Sequence, residues 1–253
     1  MLDEIVRITA EAGGLAASRS GEDYKRWEKA PGNPVCDVDL EIDAFLREKL
    51  TALDSEAGWL SEETVDLSDR MERRRVWVVD PIDGTRDFLA GRSGWAVSVA
   101  LVEDGHPIIG VLDAPHRNEL WTAEAGRGAR RNNIPLRVSG RTDLAGARVP
   151  SDRLSQVDSD LVAVGKPNSI ALRIAMVAAG EADLAATLRW GFEWDIAAAA
   201  LIATEAGAVA TGALGQPLSF NTVSAEAFGV LVTTPAIHAA AVDRIRERAL
   251  ALM

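Results

Sequence analysis

The run VWVVDPIDGTRDFL, residues 76–89, joins an apolar stretch directly to two aspartates three positions apart, then to Gly84 and Thr85. Carboxylates at the mouth of a buried strand repel one another and resist desolvation unless a cation or a proton balances them. Mg2+ suits such hard oxygens, keeps part of its water and is commonly completed by a substrate phosphate. Gly84 lets the backbone come close to a ligand, and a helix begun by TRDFLA would aim free N–H groups at an anion. Asp80, Asp83, Gly84 and Thr85 together read as a seat for a metal and a phosphate. More acids fall where elements end: Glu62 and Glu63 in WLSEE, Asp195 in EWDIAA and Asp39 in CDVD. Singly, each has a plainer reading as a solvated pair, a turn residue or a helix cap.

Other chemistries fit this spacing less well. A calcium-binding EF-hand loop counted from Asp80 would need an acid at its third residue and Glu at its twelfth, where Ile82 and Gly91 stand. The covalent D-x-D-G-T loop of haloacid-dehalogenase phosphatases is one residue shorter, and the insertion turns the second carboxylate relative to the first. The three histidines, His106, His116 and His238, fall in a hairpin turn, a loop and the tail, and one cysteine cannot build a thiolate cage.

Two helices and a mostly antiparallel sheet are expected to carry the first ~140 residues, an α+β pattern. Helical spacing predicts a helix over residues 2–18, closing near Gly13–Gly14 or shortly after, and a second from Asp37 to Leu53 that buries Leu40, Phe45, Leu46, Leu50 and Leu53. Residues 18–34 show no periodicity and read as a loop, with 21–34 a mobile flap over the site. GWLSEE and RRVWVVD read as strands, the latter covered on both faces, and residues 95–115 as a hairpin turning at Asp104–Gly105. ELWTAEAGRGAR supplies another strand and a glycine turn. Beyond it, alternating strands and helices predict an α/β portion, with one helix capped by Ser169 and closed by Gly180, and another ending at Gly207. Two tightly packed portions, 1–140 and 141–253, would leave a cleft between them as the binding site.

Across 253 residues, 27 Lys and Arg stand against 38 Asp and Glu, a net charge of −11 without a dense basic run. That excludes a nucleic acid polymer as the natural partner. A single cysteine, Cys36, allows no intrachain disulfide and points to a reduced compartment. With no basic, apolar leader at the start and no apolar run long enough for a bilayer, no membrane association and a cytoplasmic location are expected.

The motifs resemble those of the inositol monophosphatase superfamily, including its 3'(2'),5'-bisphosphate nucleotidase branch. DPIDGT after its apolar strand is similar to the family's first signature, WDIAAAALIATEAG to its second, WLSEE to the upstream glutamate element, and NPVCDVD to the segment written P-V-T-x-x-D. The resemblance implies a layered αβαβα sandwich, α+β / α/β in class, of the inositol monophosphatase / fructose-1,6-bisphosphatase type. It further implies a phosphoric monoester hydrolase using two or three Mg2+ per site, often Li+-sensitive and a homodimer. By position, Glu62, Asp80 and the Ile82 carbonyl would hold one Mg2+, and Asp80, Asp83 and Asp195 a second, with Glu63 in support. Asp39 would pair with Thr85 to orient and help deprotonate the attacking water, near Glu62. Gly84 and Thr85 N–H groups would hold the phosphate, and Ser169 would touch substrate.

Specificity is expected from the segment before Asp195. The family's inositol-contacting Glu aligns with Leu188, which removes a hydroxyl-binding carboxylate. Arg189, Trp190, Phe192 and Lys166 stand nearby instead: rings can stack a base and cations can hold a second phosphate. The same rings can equally be core and the cations solvated. The small phosphorylated substrate preferred on these residues is adenosine 3',5'-bisphosphate, with inositol 1-phosphate the alternative and a sugar bisphosphate third. A non-catalytic, metal-dependent ligand-binding relative and a partner-binding scaffold are the readings of other classes.

Overall fold

The computed structural model describes residues 1–21, 25–30, 33–64 and 69–253. The helices are α1 (Leu2–Arg19), α2 (Asp37–Leu53), α3 (Thr85–Leu89), α4 (Ile170–Ala178), α5 (Ala197–Glu205) and α6 (His238–Leu252). The strands are β1 (Arg26–Ala30), β2 (Asn33–Cys36), β3 (Gly58–Ser61), β4 (Arg75–Asp83), β5 (Ala96–Glu103), β6 (His106–Ala114), β7 (Glu119–Glu124), β8 (Ala129–Arg131) and β9 (Ile134–Pro135). They continue with β10 (Arg148–Pro150), β11 (Val162–Val164), β12 (Leu184–Phe192), β13 (Val209–Thr211) and β14 (Glu226–Thr233).

β3 to β9 form a seven-stranded sheet in sequence order, and β12-β14-β13 a smaller, three-stranded one. Among the described strands of the large sheet, β3 and β4 pair in parallel and the rest antiparallel. Because successive strand side chains point to opposite faces, β4 splits its apolar residues between two cores. Trp77 and Val79 pack with α1 and α2, through Ile5, Ile8, Ile42 and Leu46. Val76 and Val78 pack with α4, α5 and the near face of the small sheet, through Ile174, Ala199 and Val232. On the far face of that small sheet, Phe228 and Leu231 meet Val242 and Ile245 of α6. Helices and sheets thus alternate in the layered αβαβα order, and the middle core draws on residues from both sides of position 140.

Close backbone approach sets the spacing of these layers. A β-carbon at Gly110 of β6 would lie 2.7 Å from the Ala198 carbonyl oxygen of α5. The helix preceded by Asp195 can therefore sit directly on the large sheet. A β-carbon at Gly13 would fall 1.8 Å from Oδ2 of Asp113 on β6. Gly13 is thus a site of close packing inside α1, and the helix passes through Gly13–Gly14 to Arg19, in keeping with the expected span 2–18.

Two expectations are corrected. Leu40 is 43% exposed, and α2 buries Val38 and Ile42 instead, beside Leu46 and Leu50 as expected. Leu40 is only two positions from Val38, so it lies nearly opposite on a helix of 3.6 residues per turn. Within the supposed loop, β1 and β2 pair as antiparallel strands, with Trp27 opposite Val35. Of the flap expected over 21–34, residues 22–24 and 31–32 lie outside the described residues. No described helix is long and apolar enough to cross a membrane.

Asp113 is buried away from the site, and burial pushes its carboxyl up to about 7. The ordinary value in an unfolded chain is about 4. The folded protein therefore holds a proton that the unfolded chain releases between those two values. The resulting stabilisation is complete below about pH 4 and is lost as pH rises through 7. Asp113→Asn is expected to gain stability relative to the parent as pH rises from 5 to 8, measured by chemical denaturation. Equal pH dependence of parent and variant would contradict this account.

Candidate active site

β3 and β4 run parallel, with Ser61 beside Val79, so both release their next residues at the same edge. Glu62 follows β3 directly, its N–H donating to the Val79 carbonyl at 3.3 Å, which brings it to Asp80. Asp43 of α2 accepts the Ser61 and Thr64 hydroxyls and so holds the turn on either side of Glu62. The third acid arrives from the other end of the chain. Asp195 ends a single helical turn, Glu193–Asp195, between β12 and α5. The Ser98 hydroxyl, on the β5 residue paired with Asp80, donates to the Trp194 carbonyl at 3.4 Å and ties that turn to the sheet. Carboxylate oxygens of Glu62, Asp80 and Asp195 consequently lie within 4.8 Å of one another.

Between Asp80 and Asp83 the ladder to β5 slips, and the strand bulges at Pro81–Ile82. Such a bulge re-aims side chains. The Ile82 N–H turns back to Asp80 Oδ1 at 2.9 Å. Gly84 follows with φ +96°, and a β-carbon there would meet the Gly94 carbonyl oxygen at 2.8 Å and the Ser169 nitrogen at 2.9 Å. Glycine is required at this corner. α3 starts at the next residue, Thr85.

The acids are held at high electrostatic cost. Asp80 is pushed well above the carboxylate range, first by burial and then by Glu62, Asp83, Asp195 and Asp39. Asp195 is raised by burial, then by Asp83 and Glu62, against the pull of the Phe192 N–H and Arg189. Burial lifts Asp83 to about 6, opposed by the Ser169 hydroxyl, the Ala171 N–H and the charge of Arg173.

Around these acids opens a cleft of about 250 Å³, lined also by Ile82, Asp83, Gly84, Thr85, Arg86, Asn168, Arg189, Trp190, Phe192 and, from β2, Pro34. Hard oxygen donors crowded together, with protons as their alternative balance, fit a divalent ion such as Mg2+.

Several residues expected at the site lie differently. Asp83 lines the cleft outside the three-carboxylate group. Its Oδ2 accepts the Ser169 hydroxyl at 2.5 Å and the Ala171 N–H at 2.8 Å, so it sits as an anion on the start of α4. Ser169 is fully buried, capping α4 through Leu172 N–H and donating to Asp83, and is not among the residues lining the cleft. Lys166 pairs with Asp152 at 2.6 Å and does not line the cleft. The Asp39–Thr85 pair does not form. Asp39 Oδ2 reaches back along α2 to the Cys36 N–H at 2.8 Å, and the Thr85 hydroxyl donates to the Ile82 carbonyl at 3.1 Å. Glu63 is partly buried beside Glu62. Leu188 packs into the core beneath α6. Arg86 and Asn168 were not anticipated, although each adjoins a residue already singled out, Thr85 and Ser169.

The model of the inositol monophosphatase family matches residues 1–251. The chain belongs to that family. It is therefore a Mg2+-dependent phosphoric monoester hydrolase. Similar proteins include the 3'(2'),5'-bisphosphate nucleotidase CysQ of Aggregatibacter actinomycetemcomitans, 29% identical over 238 residues, 87% of each chain. An inositol-1-monophosphatase of Rhizobium meliloti (strain 1021) is 32% identical over 247 residues, 88% of this chain and 90% of that one. A solved IMPase of Thermotoga maritima superposes with a TM-score of 0.85 at 26% identity, covering 100% of this chain and 99% of that one.

Removing one converging charge separates repulsion from metal binding. In metal-free protein Asp80→Asn is expected to raise the Tm by several degrees, because a buried like-charge contact disappears. Mg2+ is expected to raise the Tm of the parent and to leave that of the variant unchanged. Thermal unfolding with Mg2+ and with a chelator checks both, and a variant destabilised without metal contradicts the electrostatic account.

Proposed function

We propose that the protein is a 3'(2'),5'-bisphosphate nucleotidase that converts adenosine 3',5'-bisphosphate to AMP and phosphate. Arg189 carries this reading. It lines the cleft facing the acids, and among the described residues its guanidinium makes no hydrogen bond or ion pair. A cation left unpaired beside a phosphate seat suits a ligand with a second anionic group. Trp190, the next residue, is 52% exposed at the same cleft and offers a ring to a base. The CysQ relative supports the same substrate class. Inositol-1-phosphate phosphatase is the second reading, favoured by the similarity to the Rhizobium enzyme. Leu188 weighs against it, since an apolar side chain in the core offers nothing to a polyol.

In this reading Glu62, Asp80 and Asp195 hold Mg2+, joined by the Ile82 carbonyl and by Asp83. Bound there, Mg2+ supplies Lewis acidity to the phosphoryl group and to the attacking water. The N–H groups of Gly84 and Thr85, at the start of α3 where intrahelical acceptors are lacking, hold the phosphate oxygens. Thr85 orients the water with its hydroxyl once that hydroxyl leaves the Ile82 carbonyl. Asp39, close enough for its charge to act on Asp80, receives the proton. In-line attack on a monoester needs little beyond this positioning and positive charge.

A panel of adenosine 3',5'-bisphosphate, inositol 1-phosphate and fructose 1,6-bisphosphate, assayed with Mg2+, tests the assignment. The highest kcat/KM is expected on the first. Arg189→Ala is expected to raise KM for it about tenfold or more, the worth of one charge-assisted contact, and to change inositol 1-phosphate hydrolysis far less. Preference for inositol 1-phosphate, or an equal effect on both esters, would displace the proposal.

A further inference from the structure

Away from the cleft, two charged side chains are removed completely from solvent, and they meet across the junction between the elements that carry Glu62 and Asp195. Arg70, on the single turn Asp69–Glu72 between β3 and β4, and Glu193, two residues before Asp195, are each 0% exposed. Both grip the loop that follows Phe220. Arg70 donates to Asn221 Oδ1 at 2.5 Å and to the Thr222 carbonyl at 2.9 Å, and its own carbonyl accepts Asn221 Nδ2 at 3.3 Å. Glu193 accepts the Asn221 N–H at 2.5 Å and the Thr222 N–H at 2.9 Å, together with the Thr222 hydroxyl. The Glu193 N–H completes the ring, donating to the Ala225 carbonyl at 2.9 Å.

The loop so held is bent at both ends, with φ +58° at Asn221 and +54° at Ala225. A residue carrying a β-carbon adopts that region at a cost that its surroundings must offset. On the other side, Arg70 is seated against β3 itself: a β-carbon at Gly58 would lie 2.8 Å from Cβ of Arg70. One network therefore runs from β3 through Arg70, Asn221 and Thr222 to Glu193 and the turn that ends in Asp195. Burying two charges is expensive unless hydrogen bonds satisfy them, and here each has several.

We infer that Arg70 and Glu193 are positioning residues for the metal centre, fixing the turn that bears Asp195 relative to the strand that leads into Glu62. The inference rests on the metal-binding role proposed for Glu62 and Asp195. Neither Arg70 nor Glu193 lines the cleft. Their effect is carried by the separation of the two carboxylates, and so appears in metal affinity before it appears in substrate affinity.

The test measures Mg2+ binding by calorimetry on the full-length, substrate-free protein, with Tm, kcat and KM alongside. Arg70→Met and Glu193→Gln are expected to weaken Mg2+ binding about tenfold, the usual effect of losing a ligand's outer support. Arg70→Lys is expected to recover part of it. Arg148→Met serves as the control, because it removes the ion pair with buried Asp183, 2.7 Å long, far from the metal ligands in sequence and outside this network. It should lower the Tm and leave Mg2+ affinity unchanged. If Arg70→Met behaves like that control, losing stability with unaltered Mg2+ affinity, the network is only a structural staple and the inference is wrong. Should Arg70→Met fail to fold, Asn221→Ala removes both side-chain hydrogen bonds between Asn221 and Arg70 and is judged by the same criterion. A parent protein without Mg2+ affinity would overturn the metal reading and this inference together, whereas a different preferred ester would leave both standing.

Discussion

Like-charge crowding at the shared edge of β3 and β4 is the constraint around which this protein is built. Glu62, Asp80 and Asp195 converge within 4.8 Å, with Asp83 on the same wall. Carboxylates at such separations cannot all remain ionised and buried without compensation. The fold supplies a rigid frame for them. The parallel β3–β4 pair aligns two acids, and the Ser98 contact to the turn before α5 delivers the third. A frame that tolerates this repulsion presents a set of hard oxygen donors suited to a divalent ion.

Around the acids, nearly every neighbouring polar group is occupied in holding backbone. Asp43 secures the turn around Glu62, Ser169 caps α4, and Asp39 caps α2. Asp83 spends its oxygens on the N-terminus of α4, which joins the metal wall to the second half of the chain. Such division of labour lets a small cleft be lined by few free groups. Arg189, exposed on the cleft wall and without a hydrogen bond or ion pair among the described residues, is available to a ligand.

Much of this is legible in the sequence. The apolar run ending in Asp80, the hairpin turn at Asp104–Gly105, the Ser169 cap and the helix that closes at Gly207 are local signals, set by side-chain periodicity and turn chemistry. Less legible are the places where a local signal has a nonlocal cause. Gly13 looks like a helix end but makes room for Asp113 on another element. The segment before Asp37 has no periodicity, yet it pairs with itself as β1 and β2. Leu40 was drawn to the core by its type alone, although helical geometry sends it outward.

By itself the amino-acid order carried the family's motifs and with them the reaction class, because each motif is a short contiguous run whose strand or helix end is set by near neighbours. Only the tertiary structure decided which groups face the cleft. It turned Asp83 and Ser169 toward each other, drew Lys166 to Asp152 and left Arg189 open. It also joined Arg70 to Glu193 through a loop some 150 residues downstream of Arg70. The direction of a side chain depends on partners distant in the chain, and one-dimensional order holds no record of which partner arrives first at each donor.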